Sequence, residues 1–278
     1  MRSHSRLFLA LVLGAIACSP NRKARAEAVT IPHPDDSSKK VEYFLQKPSG
    51  TAPWPTIVFV HGHQEWSRPG GKDFVNWGVL DRFAKRGYLA VAVSQPGYGG
   101  SAGPADYCGT FTQDAVSGVI QKLRRDGSAI PNKIVIEGIS RGAVVASLVA
   151  AHDASIAGIV LISGLYDLNS FAAARKSGEA RLIVRSMIEE TGGGKDALWA
   201  RSALNFARDI KASALIINGA QDLRTDPTHA RRLAEEITAG GGKARAIIYP
   251  AYGHQIPVAV RDKEIDPFVD SVLSQSTK

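Results

Sequence analysis

A parallel α/β sheet covered by helices on both faces is the architecture this sequence predicts, and three observations predict it. Short apolar runs without polar alternation, such as Thr56–Val60, Leu89–Val93 and Gly158–Ile162, suit strands buried on both faces. Segments with apolar residues at helical spacing alternate with those runs. The stretch Lys133–Ala151, KIVIEGISRGAVVASLVAA, reads as strand, sharp turn and helix in immediate succession.

In chain order, Val41–Gln46 alternates and stops at Lys47-Pro48-Ser49-Gly50, the pattern of an early edge strand. Thr56–Val60 follows as an interior strand and ends at His61-Gly62-His63-Gln64. Phe74, Trp77, Val79-Leu80 and Phe83 then predict one helix over Phe74–Arg86, closed by Gly87. Leu89–Val93 is the next strand, leading into the glycine-rich turn Gln95–Ser101, and a helix over Phe111–Arg125 precedes the strand at Ile134-Val135-Ile136. Beyond the central turn come strands at Gly158–Ile162, Ala214–Asn218 and Ala244–Tyr249, and helices at Thr228–Ala239 and Arg261–Gln275. Leu165–Arg208, with its Thr191-Gly192-Gly193-Gly194 break, has two readings, a small helical lid or a long crossover. No internal repeat, low-complexity block or interior linker divides the chain, so residues 27–278 read as one domain.

The first residues have a different character. Arg2 and Arg6 precede the apolar run Leu7–Ala17, too short to span a bilayer and patterned as a secretory signal. Cleavage after Ala24-Arg25-Ala26 would leave Glu27 as the new terminus and residues 1–26 as the signal peptide. Ala15-Ile16-Ala17-Cys18 also resembles a lipobox, in which Cys18 would carry lipid and give the one route to membrane anchoring. Either outcome predicts an exported protein, periplasmic or secreted, without a stable membrane span.

The formal charge of +8 falls to +3 once the five basic residues of that leader are set aside. No block of Lys and Arg interleaved with aromatics marks a nucleic-acid face. Cys18 and Cys108 are the two cysteines, which excludes a disulfide framework and a thiolate metal site; Cys108 reads as a small buried hydrophobe.

A serine between a strand and a helix has a chemical use, because the turn lifts its hydroxyl clear of the sheet and aims a helix N-terminus at it. Gly138-Ile139-Ser140-Arg141-Gly142 supplies that serine with a glycine two residues to either side. Serine alone is a poor nucleophile; it needs a base and a group that holds the base in the right tautomer. Asp222 follows the strand Ala214–Asn218 and His254 follows Ala244–Tyr249, so both fall in loops at the strand ends. Asp226, just before Pro227, suits a turn or helix cap and stands in reserve as the acid. Among rival bases, His229 lies in a helix with Arg231 and Arg232 and is expected to face solvent, and His152 is placed to cap the carbonyls ending its helix. An oxyanion needs two aimed N–H groups, for which the amide of Arg141 and one at His63 or Gln64 are the candidates. His61 and His63 as metal ligands are only two residues apart with no carboxylate cluster nearby, so no metal or cofactor is expected.

Together, His61-Gly62, Gly97-Tyr98-Gly99-Gly100-Ser101, Gly138–Gly142, Leu215–Asp222 and Ile248-Tyr249-Pro250-Ala251-Tyr252-Gly253-His254 resemble an α/β-hydrolase of the group holding prolyl-oligopeptidase-like and dienelactone-hydrolase-like proteins. The resemblance spans residues 40–275 and implies a Ser140–Asp222–His254 triad. It also implies a serine hydrolase acting on a small ester or a short acyl or peptide substrate. Three readings follow: a carboxylic-ester hydrolase, a peptidase or amidase using the same triad, and a binding protein that keeps the fold without catalysis.

Overall fold

The computed structural model describes residues 26–174 and 178–274, so residues 1–25 of the expected leader, Cys18 among them, lie outside the described residues. Among the described residues, eight strands form one sheet: β1 (Glu27–Pro32), β2 (Lys40–Gln46), β3 (Trp54–Val60), β4 (Leu89–Val93), β5 (Ala129–Ile139), β6 (Gly158–Ile162), β7 (Ser213–Gly219) and β8 (Ala244–Tyr249). Their spatial order is β1-β2-β4-β3-β5-β6-β7-β8. The pairs β1–β2 and β2–β4 are antiparallel and all others parallel. This is the α/β-hydrolase fold.

Strand periodicity divides the core in two. Val58, Val60, Ile134, Ile136, Ile159, Leu161 and Ile216 point to one face. There they meet α3 (Thr110–Arg125), α4 (Arg141–His152) and α8 (Thr228–Ala239). Their neighbours Ile57, Phe59, Val135, Val160, Ile162, Leu215 and Ile217 point the other way. They are covered by α1 (Lys72–Asn76), α2 (Val79–Lys85) and α9 (Val258–Ser274). Each such side chain, taken fully out of water, contributes about 1.5–3 kcal/mol, which is why two-faced burial selects unbroken Val and Ile runs.

Four expectations are corrected. The β2 strand is interior, because the unpredicted β1 pairs with it from Glu27↔Leu45 to Pro32↔Lys40 and takes the edge. The single helix over Phe74–Arg86 is two, α1 and α2, since Gly78 takes φ 72° and turns the chain between them. Upstream of Ile134, β5 extends back to Ala129, and the register shift opposite Trp54/Thr56 accommodates Pro131, which has no N–H for the ladder. His229 is buried rather than solvent-facing, with its Nδ1 accepting the Asp167 N–H at 3.3 Å.

Leu165–Arg208 folds as α5 (Leu168–Ala173), α6 (Gly178–Thr191), α7 (Lys195–Trp199) and a 3-10 turn, Ala203–Asp209. No helix of the described residues is long and apolar enough to cross a membrane.

On the α9 face, an ion-pair ladder joins Arg82 of α2 and Arg86, which caps its C-terminus, to Asp262, Asp266 and Asp270 of α9. Beneath it Glu137 of β5 is buried, and its Oε2 has no hydrogen-bond partner. Burial pushes this carboxyl up from 4.5 to about 7; Arg261 and Arg82 pull it down, while Asp262 and Asp266 push it up. The folded chain therefore holds a proton that the unfolded chain releases, and stability falls as pH rises from 4.5 through 7. Glu137→Gln removes the burden, so it should stabilise the chain at pH 8 by on the order of 3 kcal/mol and gain nothing near pH 4. Urea midpoints at the two pH values test this, and an equal gain at both would contradict it.

Candidate active site

Ser140 alone turns the chain from β5 into α4, with φ 55° and ψ −117°. Such a backbone costs about 1–3 kcal/mol and persists only when its surroundings enforce it. The enforcement is visible on both sides. A Cβ on Gly138 would run into the backbone of Gly142 and Ala143, and one on Gly142 into the carbonyl oxygens of Val60 and His61. Ser140 N–H donates to Ile162 O at 2.7 Å, tying the turn to β6.

The structure brings Ser140, His254 and Asp222 together from three loops at the carboxyl ends of the strands. Ser140 Oγ lies 3.1 Å from His254 Nε2, and His254 Nδ1 lies 2.9 Å from Asp222 Oδ2. The Asp222 side chain is fully buried. Its Oδ1 accepts from the amides of Arg224 at 2.8 Å and Thr225 at 3.1 Å, and its Oδ2 from Thr225 Oγ1 at 2.6 Å. Burial raises the carboxyl pKa, but the bonds from His254, Thr225 and Arg224 outweigh it and hold the group below its ordinary value. Asp222 is thus ionised at neutral pH and accepts a hydrogen bond from His254 Nδ1–H, which leaves Nε2 to accept the serine proton.

The reserve acid Asp226 is occupied elsewhere: its Oδ1 accepts from Thr228 N at 3.0 Å and Oγ1 at 2.7 Å, at the start of α8. His61 is buried with both nitrogens engaged, Nδ1 on Gly62 O at 2.7 Å and Nε2 accepting the Gln95 N–H at 3.0 Å. Burial lowers its pKa to about 4, so it is a neutral strut. His63 bonds Tyr98 OH at 3.0 Å, and Gln64 braces its loop through Gly70 N–H at 2.7 Å and Asp73 at 2.9 Å. Both face the cleft over Ser140, and a Cβ on Gly62 would stand 3.2 Å from that of Ser140. The Arg141 amide opens α4, where a first-turn N–H has no intrahelical partner. Cys108 Sγ is buried 3.5 Å from Arg141 O, and burial pushes its thiol up, away from reactivity. Among the described residues, no group of three or more His, Cys, Asp and Glu is placed to hold a metal ion.

Two features escaped the sequence reading. Ser163 at the end of β6, with φ 52°, donates to His254 O at 2.8 Å and so anchors the histidine loop. The Arg141 guanidinium, buried beside the nucleophile, meets Glu190 of α6 with two bonds of 2.9 Å each. It also reaches Tyr98 OH at 3.2 Å and lies 4.3 Å from the centre of the Tyr107 ring. A G-x-S-R-G turn followed by a distant acid carries no local signal for such a pair.

A serine, histidine and buried aspartate linked in this order at the strand ends define the site of a serine hydrolase on the α/β-hydrolase fold. The prolyl oligopeptidase family matches over residues 79–271, and the chain belongs to that family. It is similar to a dipeptidyl aminopeptidase BIII of Pseudoxanthomonas mexicana, 26% identical over 237 residues that make up 81% of this chain and 33% of that protein. The chain spans about a third of the length of the curated relatives it matches. Among solved structures, a puromycin-hydrolyzing peptidase of Mycobacterium tuberculosis shares the fold with a TM-score of 0.76 and 21% identity, over 91% of this chain and 40% of that one. An acetyl xylan esterase from Paenibacillus sp. R4 shares it with a TM-score of 0.69 and 15% identity, over 93% and 87%.

Removing one member of a buried bidentate pair leaves an uncompensated charge, at a cost of about 3–5 kcal/mol. Glu190→Ala should therefore destabilise the chain by about that amount, and Arg141→Met with Glu190→Leu should recover most of it. Chemical denaturation checks both; a loss under about 1 kcal/mol for the single variant would show that the pair does not clamp α6 to the turn.

Proposed function

We propose that this protein is an exported serine hydrolase that cleaves carboxylic esters through an acyl-enzyme on Ser140. The observation that carries the reading is the unbroken relay from Ser140 Oγ through His254 to Asp222. Ser140 Oγ attacks the carbonyl carbon as His254 Nε2 takes its proton, and Asp222 stabilises the imidazolium. The oxyanion is held by the amide of Arg141 and one from His63 or Gln64, and each such donor contributes about 3–4 kcal/mol in related chemistry. His254 then gives the proton to the departing oxygen, and water, deprotonated by the same nitrogen, releases the acid. No cofactor enters these steps. Export rests on Arg2, Arg6 and the apolar run Leu7–Ala17.

Peptide or amide cleavage by the same triad is the second reading. Relatives described as a dipeptidyl aminopeptidase and a puromycin-hydrolyzing peptidase favour it at least as strongly as the esterase neighbour favours the first.

A fluorophosphonate probe should label Ser140 in the folded chain and fail on Ser140→Ala. Asp222→Asn should lower kcat by about 10⁴ without unfolding the protein. Short acyl esters against aminoacyl anilides then separate the two readings by kcat/KM. A folded native chain that takes no label would remove the catalytic reading and leave a binding protein on the same fold.

A further inference from the structure

Two unequal spaces meet at Ser140. One is a recess of about 60 Å³ lined by Tyr107, Val144, Leu165 and Ile183. The other is an open cleft of about 790 Å³ that runs past His254 and along Ile256, Pro257 and Val258. His254 lines the cleft and is absent from the lining of the recess. That difference orients any substrate. The leaving atom must receive its proton from His254 Nε2, so the leaving group departs on the histidine side. The acyl group, on the other side of the carbonyl carbon, is directed into the recess.

The cleft has a second property. Of the seven large apolar side chains exposed among the described residues, four line this one cleft, Trp66 (94% exposed), Trp77 (61%), Val258 (55%) and, on the rim it shares with the recess, Leu182 (59%), while Ile188, Trp199 and Leu223 lie elsewhere. Apolar residues scattered singly over a surface need no explanation, but a concentration around one opening marks a binding surface. Two indoles offer flat faces on which a ring can stack, at about 0.5–1.5 kcal/mol beyond the area buried. The recess has no such reach: Arg141, locked to Glu190, belongs to its lining together with Tyr107.

We infer that the site is built for substrates with a small acyl group and a bulky, apolar, preferably aromatic leaving group, with Trp66 and Trp77 as the residues that select the leaving group. The inference rests on the serine-hydrolase reading above. Trp66 and Trp77 touch the leaving group and do no chemistry, so their contribution lies in KM more than in kcat.

The test uses the full chain. Phenyl acetate and 2-naphthyl acetate share an acyl group and have leaving groups of similar acidity, so their ratio of kcat/KM reports the cleft. Should the enzyme prefer amides, acetanilide-type and 2-naphthylamide pairs of one acyl group serve instead. The 4-nitrophenyl esters of acetate, butyrate and octanoate report the recess. The native chain should favour naphthyl over phenyl at least fivefold and acetate over octanoate at least tenfold. Trp66→Ala with Trp77→Ala, both at exposed positions, should bring the first ratio to within twofold of unity through KM. Leu165→Ala, at a residue that lines the recess and not the cleft, should raise the octanoate-to-acetate ratio. A naphthyl preference that survives in the tryptophan variant, or octanoate cleaved as well as acetate by the native chain, would overturn the partition while leaving a working hydrolase. Absence of both turnover and probe labelling on Ser140 would instead remove the hydrolase reading, and the partition with it.

Discussion

Backbone packed on backbone at one turn is the constraint on which the rest of the site depends. The carbonyls of Val60 and His61 press against Gly142, and Gly138 presses against the first turn of α4, with no room for a Cβ at either glycine. That contact locks the end of β3, the end of β5 and the start of α4 into one unit. Ser140 has no freedom to relax its positive φ, and the loop bearing His63 and Gln64 is held beside it. The strain is offset downstream, where every residue of α4 from Arg141 to Ala150 is buried. A helix so deeply packed cannot unwind by a residue to relieve the turn that precedes it.

The catalytic groups are then arranged by how each polar atom is satisfied. Asp222 is completely buried yet ionised, because four hydrogen bonds replace the water it has lost. His254 is fixed at two points, by Asp222 on its ring and by Ser163 on its carbonyl. His61 has the same side chain and the opposite role, since both its nitrogens are spent on the backbone of neighbouring turns. Residue type alone does not distinguish these two histidines; the partners do.

The interior parallel strands were legible because burial on both faces leaves apolar runs, as in β4 and β6, which are buried at every position, whereas β8 at the sheet edge is marked only by Ala246–Tyr249 running up to Pro250. The turn at Ser140 was legible for the same reason that it works, its glycines being required at fixed offsets. What the sequence hid was set by distance or by weak local pattern. β1 is six residues ending in proline and gains its identity only by pairing with β2. The break between α1 and α2 turns on one glycine in a helical pattern that continues across it. The burial of His229 among arginines depends on packing against the segment that begins α5, sixty-two positions earlier. Ser163 and Glu190 serve residues 91 and 49 positions away, and no periodicity reports such partners.

Arg141 joins these levels. Its amide is placed for an oxyanion, and its guanidinium is the main polar tie between the turn and α6, a helix that buries only Ala180 and Met187. Leu182, Ile183 and Ser186 of that same helix wall the recess beside Ser140. In the proposed reaction, the α6 wall of the recess and the amide facing the oxyanion are therefore linked through one residue, Arg141, whose guanidinium holds α6 and whose N–H opens α4. A shift of α6 large enough to admit a longer acyl group pulls on the Arg141–Glu190 pair, and through it on the first turn of α4. Selection at the proposed recess and stabilisation at the proposed oxyanion site would therefore share the Arg141–Glu190 pair, whereas Trp66, Trp77 and Val258 line the open cleft from outside that pair.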